Sequence, residues 1–361
     1  MAAPKIFISP AKYVQGADAI GELGKHVYPL GRHALVVGGN NGLQSTRAGR
    51  VLSFRENGVT QTEEVFRGES SDAEVTRLVS AAQAANCDVI IACGGGKAID
   101  AVKATAAQLG LPCVVVPTVA SNDSPCSSLS VIYNDDGTFN RLQFLGRNPD
   151  LVLVDTRIIA NAPVRQLVSG MGDALATWYE ADASYRSGAT NVPGGAITQS
   201  ALALAQLCRD TLFEFGVGAK LACERHVVTP ALERVVEANT LLSGLGFESG
   251  SVALAHALSE GFSAIPEAHR HTHGELVAFC LLTQLILEAR SHEEFSRVYE
   301  FCRAVGLPTT LAQVNAEPGD ALRRAAAIAA EPGRPTHNLS FPVSADAIYD
   351  AMLAVDAIST L

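Results

Sequence analysis

The sequence predicts an α/β domain built on a parallel sheet, followed by an all-α domain. Three observations predict it. Short β-branched runs alternate with helical patterns in the first part of the chain. That texture stops near Ala162, and long Ala/Leu-rich amphipathic stretches follow it. At about 150 residues per domain, a chain of 361 residues is long enough for two. The expected division is 1–162 and 163–361, with a cleft between them as the default place for chemistry.

In chain order, residues 34–37 (ALVV) read as a buried strand, 43–57 as a helix and 60–67 as a strand. Residues 71–85 read as a helix opened by a Ser-Asp cap. The run 88–92 is a strand, 97–109 a helix, and 113–117 (CVVVP) a strand. Runs of four or five β-branched residues between helices indicate parallel strands covered on both faces. Residues 128–134 and 139–146 flank NDDG, a hairpin turn, and 151–155 (LVLVD) is one more strand. Helices are expected over 164–185, 195–216, 218–246, 249–265, 274–290, 293–305 and 345–359.

Composition excludes several classes. Hydrophobic residues make up 48% and charged residues 18%, enough apolar material for a buried core and too little charge for a disordered chain. The net charge of −10 and the lack of a basic stripe argue against nucleic acid as a partner. Eight cysteines without a C-x-x-C pair argue against a cysteine zinc site and suit buried thiols in a reducing compartment. The N-terminus lacks a signal-peptide pattern, and no apolar run approaches the roughly 18 residues that span a bilayer. The expectation is a cytoplasmic protein with no membrane partner.

Cys93-Gly94-Gly95-Gly96-Lys97 joins a predicted strand to a predicted helix. Glycines there let backbone N–H groups approach a phosphate at a helix N-terminus, and Lys97 adds a full positive charge. The spacing meets neither common phosphate fingerprint, and a tight turn needing positive φ reads equally well. Gly38-Gly39-Asn40-Asn41-Gly42 ends the strand at 34–37 without the acid that would grip a ribose diol. Thr118, Ser121 and Asp123 also fall at strand carboxyl ends, where open α/β sheets bind ligands.

Three histidines crowd into His269-Arg270-His271-Thr272-His273, and alternate spacing would put them on one side of an extended segment. They read as metal ligands or as a solvated turn. His256 lies in an apolar helix, as a ligand or a hydrogen-bonded core histidine. Asp173, Thr177 and Glu180 share one helix face, which reads as a solvated stripe or as an acid aimed into the cleft. Spacing alone does not join Asp173 to either histidine.

The strings GGGKAIDAVKA, PTVASNDSPCSSLSVIY, SGMGDALATWYEA, TPALERVVEANTLLSGLGFESG and AHRHTHGELVAF, with THN at 336–338, resemble glycerol dehydrogenases of the metal-dependent iron-type alcohol dehydrogenase superfamily. The likeness runs from about residue 4 to residue 358. It implies a Rossmann-like N-terminal domain binding NAD and an all-helical metal and substrate domain, the architecture shared with dehydroquinate synthase. The implied metal ligands are Asp173, His256 and His273, with Zn²⁺ favoured over Fe²⁺. The dinucleotide would lie on Gly39, Gly94, Gly95, Gly96 and Lys97, with Thr118, Ser121, Ser127, Leu129 and Tyr133 on the nicotinamide side. Asp123 would contact the polyol, and His271 is the candidate relay for the alcohol proton. The implied activity is oxidation of glycerol, or a related small diol, to dihydroxyacetone or the corresponding ketone by a homo-oligomer.

Two departures stand out. Members often carry Asp at the place of Gly39, so NADP preference is open here. After the first metal histidine they often show His-Asn-Gly, where this chain has Ser259-Glu260-Gly261. A dehydroquinate-synthase-like lyase is the competing enzyme reading, and it would need more basic residues than 163–275 supplies. A nucleotide-binding protein with a vestigial metal site is the non-catalytic one.

Overall fold

The computed structural model describes residues 3–358. It contains the expected parallel sheet, in the spatial order β1 (Tyr13–Gly16), β8 (Leu151–Asp155), β5 (Cys113–Pro117), β4 (Val89–Gly94), β2 (His33–Gly38) and β3 (Thr60–Val65). All neighbouring pairs are parallel. The central strands are apolar along their whole length because helices cover both faces. Leu23, Val36, Phe54, Ile91, Val114 and Leu153 belong to one buried cluster beneath α1 (Leu23–Val27) and α2 (Asn40–Asn57). Val75 and Val79 of α3 (Asp72–Ala84) pack with Ala104 of α4 (Gly96–Leu109) and Ile132. Ser71 caps α3 by accepting a hydrogen bond from the Glu74 amide, as the Ser-Asp signal predicts. The hairpin is present as β6 (Leu129–Tyr133) and β7 (Phe139–Phe144), which form a separate two-stranded sheet. A short helix α5 (Thr156–Ala160) follows β8. β1 was not foreseen; it is short, half-buried and lies at the sheet edge, so its pattern is weak.

The helices are α6 (Val164–Ser187), α7 (Gln199–Glu224), α8 (Pro230–Glu237), α9 (Ser243–Gly250), α10 (Leu254–Gly261), α11 (His273–Leu287), α12 (His292–Val305), α13 (Asp320–Ala329) and α14 (Ala345–Ile358). The stretch 218–246, expected as one helix, is broken. α7 ends at Glu224, Thr229 caps α8, and a π-helical turn, Ala238–Leu242, leads into α9. Helix 249–265 contracts to α10, and α13 escaped the sequence reading. No helix of the described residues is long and apolar enough to cross a membrane. All eight cysteines are buried free thiols.

Contacts divide the chain into two compact units that interleave along it, whereas the sequence reading placed one cut at 162/163. The sheet unit comprises Ser9–Leu167 and Leu221–Gly244; the helical unit comprises the segment ending at Ile8, Val168–Lys220 and everything from Leu245 onward. Chain order cannot display this, because α8 and the π turn pack with the sheet despite their helical texture.

Inside the sheet unit, the buried pair Lys103–Asp100 ties the loop after β5 to α4. The Lys103 ammonium is 2% exposed, lies 3.1 Å from Asp100 and donates to the Ser124 carbonyl (2.9 Å), the Ser127 hydroxyl (3.1 Å) and the Leu129 carbonyl. Asp100 accepts from the Ser124 hydroxyl at 2.7 Å and from the Val131 amide at 3.2 Å. A buried charge that loses its partner is expensive. Replacing Lys103 by Met should therefore cost about 3–5 kcal/mol of stability. A lower urea midpoint at unchanged slope would report it; an unchanged midpoint would show the pair to be dispensable.

Candidate functional site

Asp173, His256 and His273 come from α6, α10 and α11, and all three belong to the helical unit. One potential ligand atom from each lies within 4.8 Å of the others. The Asp173 Oδ1 atom is 3.3 Å from Nε2 of His256 and 3.3 Å from Nε2 of His273. Two ligands about 2.1 Å from an ion in tetrahedral geometry sit roughly 3.4 Å apart, so this spacing fits one divalent ion. The donor set of one carboxylate and two imidazoles fits as well. Exposure rises across the three side chains, from 0% at Asp173 through 16% at His256 to 46% at His273. The carboxylate is the floor, and the open side is where further ligands could enter.

What brings these residues together is close helix packing. A Cβ on Gly172 would overlap the Gly274 carbonyl oxygen, and one on Gly274 would overlap the Ser169 carbonyl oxygen. Each glycine adjoins a candidate ligand, so α6 and α11 touch backbone to backbone beside Asp173 and His273.

The polar face of α6 is not solvated: Asp173, Thr177 and Glu180 are all buried. Glu180 serves α10, whose N-cap residue Ala253 has no side-chain donor or acceptor. One Glu180 oxygen accepts from the Ala253 amide (2.8 Å) and the His256 amide (3.0 Å), and the other lies 2.5 Å from His256 Nδ1. A hydrogen on Nδ1 leaves the Nε2 lone pair directed at Asp173, the arrangement that orients metal-ligating histidines. Sequence reasoning missed Glu180 as a functional residue, although its i, i+7 spacing from Asp173 was the available signal. Burial opposes the Asp173 carboxylate, but His273 and His256 outweigh it and hold the carboxyl well below the usual range. Burial likewise opposes the His256 imidazolium, and Glu180 and Asp173 outweigh it, raising that group well above its ordinary value.

The three clustered histidines do not share a face. His269 lies in the 3₁₀ turn Pro266–Arg270 and contacts the Ser263 carbonyl at 3.2 Å; only His273, the first residue of α11, meets Asp173. His271 Nε2 is 2.5 Å from Asn315 Oδ1, and its Nδ1 is 3.3 Å from Glu275.

In the sheet unit, Gly39, Gly94, Gly95, Gly96, Lys97, Thr118 and Ser121 line one cavity of about 590 Å³ at the strand carboxyl ends. Gly95 caps α4 with φ −95°, so the loop does not need a left-handed residue. Its glycines serve close approach instead: a Cβ on Gly96 would strike the Asn122 amide. Lys97 is half-exposed, 2.7 Å from Glu69 and 4.9 Å from the Tyr133 ring centre. Ser127 and Leu129, the latter the first residue of β6, are both held by Lys103. Asp123 accepts from the Ser243 hydroxyl at 3.0 Å, and Asn239 in the π turn donates to the Ala120 (3.0 Å) and Leu167 (3.1 Å) carbonyls. The sequence-selected residues thus collect into two groups, one in each unit.

A parallel α/β unit with a glycine loop at its strand ends and a helical unit with a carboxylate–imidazole triad define the iron-containing alcohol dehydrogenase class, whose family model matches residues 10–156. Glycerol dehydrogenase of Escherichia coli is 49% identical over 98% of this chain and 96% of its own length. Glycerol dehydrogenase of Pseudomonas putida is 47% identical over 96% of each. The crystal structure of glycerol dehydrogenase from Schizosaccharomyces pombe superposes with a TM-score of 0.95 at 39% identity, covering 99% of this chain and 92% of that one. The chain belongs to the glycerol dehydrogenase family within the iron-containing alcohol dehydrogenases. It is accordingly an alcohol or polyol dehydrogenase, and membership implies a metal and a nicotinamide dinucleotide.

The orienting role of Glu180 is measurable. Glu180→Gln keeps the shape and removes the charge, and should weaken divalent-metal binding by about 10–100-fold. Calorimetric titration of metal-free protein checks this; unchanged affinity would remove Glu180 from the site.

Proposed function

We propose that this enzyme oxidises glycerol, or a closely related small vicinal diol, to the ketone with NAD, using Zn²⁺ held by Asp173, His256 and His273. The observation that carries the reading is the meeting of those three donors with Glu180 behind His256. A bound divalent ion would lower the pKa of an oxygen ligand toward neutrality, and a bound nicotinamide would supply the hydride acceptor. The residues of this chain do the positioning. Asp173 supplies buried negative charge, and His273 forms the half-exposed edge of the triad. The N-terminus of α4 and the amides of Gly95 and Gly96 offer the pyrophosphate partial positive charge, to which Lys97 adds its own once it leaves Glu69. Ser127, Leu129 and Tyr133 are assigned to the nicotinamide side. Asp123 is assigned to a substrate hydroxyl, with Ser243 holding its other oxygen. His271 is assigned to the proton path; both its ring nitrogens face oxygens, so that path requires the Asn315 contact to open.

Gly39 favours a second cofactor reading, acceptance of NADP. It precedes α2 at the end of β2, and a Cβ there meets nothing within 4 Å, so steric fit does not demand glycine. A carboxylate at this point would bind a ribose diol and repel a 2′-phosphate.

Two measurements test these readings. His273→Ala should abolish glycerol-dependent NADH formation while leaving the far-ultraviolet circular dichroism unchanged; full turnover in that variant would refute the metal assignment. Gly39→Asp should fold normally and raise the NAD⁺-over-NADP⁺ ratio of kcat/KM by about tenfold. An unchanged ratio would separate Gly39 from cofactor choice.

A further inference from the structure

Glu260 lies four residues after His256 on α10, so the two side chains share one helix face about 5–6 Å apart at their Cβ atoms. Its side chain is 28% exposed, and its Oε2 atom is 2.5 Å from Nη1 of Arg334. Burial raises its carboxyl above the ordinary value, while Arg334 and the imidazoles of His256 and His273 act the other way and favour the carboxylate. Arg334 also contacts Glu331 at 3.2 Å, and Glu331 is 54% exposed. Arg334 is thus flanked by Glu331, the more exposed of the two acids, and by Glu260, which shares a helix face with His256.

The segment that carries Arg334 is fastened to the other end of the same helix. Asn338 donates to the Val252 carbonyl at 2.7 Å, just before α10, and Thr336 donates to the Ala329 carbonyl at 2.6 Å. His337 is 3.0 Å from the Glu331 carbonyl, which accounts for the THN string without giving it a ligand. The stretch 331–338 is thus a strap across α10, held near His256 at one end and by the Arg334–Glu260 pair at the other.

We propose that Glu260, held by Arg334, determines substrate class: its carboxylate accepts a hydrogen bond from a hydroxyl of a neutral polyol and repels anionic 2-hydroxy acids from the ion. The proposal rests on the metal assignment above. A 2-hydroxy acid offers an ion two oxygens, as a diol does, so chelation alone would not distinguish them. A fixed negative charge one helical turn past a ligand does distinguish them, because it is attractive to a hydroxyl hydrogen and repulsive to a carboxylate.

The test compares wild type, Glu260→Gln and Glu260→Asn, each loaded with Zn²⁺. Lactate binding by calorimetry should tighten about tenfold in both variants, while Zn²⁺ affinity stays within a few-fold. In turnover, KM for glycerol should rise more than kcat falls, and the glycerate-to-glycerol ratio of kcat/KM should rise about tenfold. Unchanged lactate affinity in a folded, metal-loaded variant would overturn the proposal, whatever its activity. Loss of Zn²⁺ binding in both variants would overturn it too, by making Glu260 a support of the ligands. Failure of wild type to oxidise any polyol would instead count against the function proposed above, and the lactate measurement would still decide the role of Glu260.

Discussion

The helical unit depends on one steric constraint, the contact of α6 and α11 at Gly172 and Gly274. Both glycines are fully engaged by the opposing backbone, with no room for a methyl group on either. Because each is the chain neighbour of a candidate ligand, helix separation and ligand separation are the same quantity. Interiors pack densely and yield little to an added carbon, so this contact holds Asp173 and His273 at a set distance. Glu275 accepts a hydrogen bond from the Thr272 amide at 2.9 Å and so helps to start α11 at His273.

On that frame the charges are arranged in depth. Asp173 and Glu180 are both fully buried, a costly placement for two carboxylates on one helix. His256 lies between them, 2.5 Å from one and 3.3 Å from the other. Glu180 further accepts two backbone amides and so supplies the cap that α10 lacks. The same hydrogen bonds therefore start a helix and orient an imidazole, which couples local helix stability to the geometry of the ligand set.

The sheet unit solves a different problem, the support of loops at strand carboxyl ends. Lys103 and Asp100 carry the loop after β5 from α4, while Asn239 of the π turn and Ser243 at the start of α9 brace it. A π turn widens the helix by one residue and often marks a functional position. Here it presents the Asn239 side-chain amide to two carbonyls on separate segments, Ala120 and Leu167.

Local pattern along the chain was enough for the parallel strands, the Ser71 cap, the glycine loop and the types of residue able to bind a metal. Those features depend on local pattern: β-branched runs, Ser71 before α3, and three glycines between β4 and α4. The α6 face stayed open between a solvated stripe and an acid aimed into a cleft, because nothing in residues 173–180 records that α10 packs over them. The single helix expected over 218–246 failed on a local signal that periodicity masked, Thr229-Pro230, which caps and opens α8. Only tertiary structure decided that Asp173, His256 and His273 share a point, that Glu180 stands behind them and that Arg334 reaches Glu260. These are contacts between residues distant in the chain, set by how closely helices approach and how buried charges find partners, and periodicity along a sequence carries no measure of either.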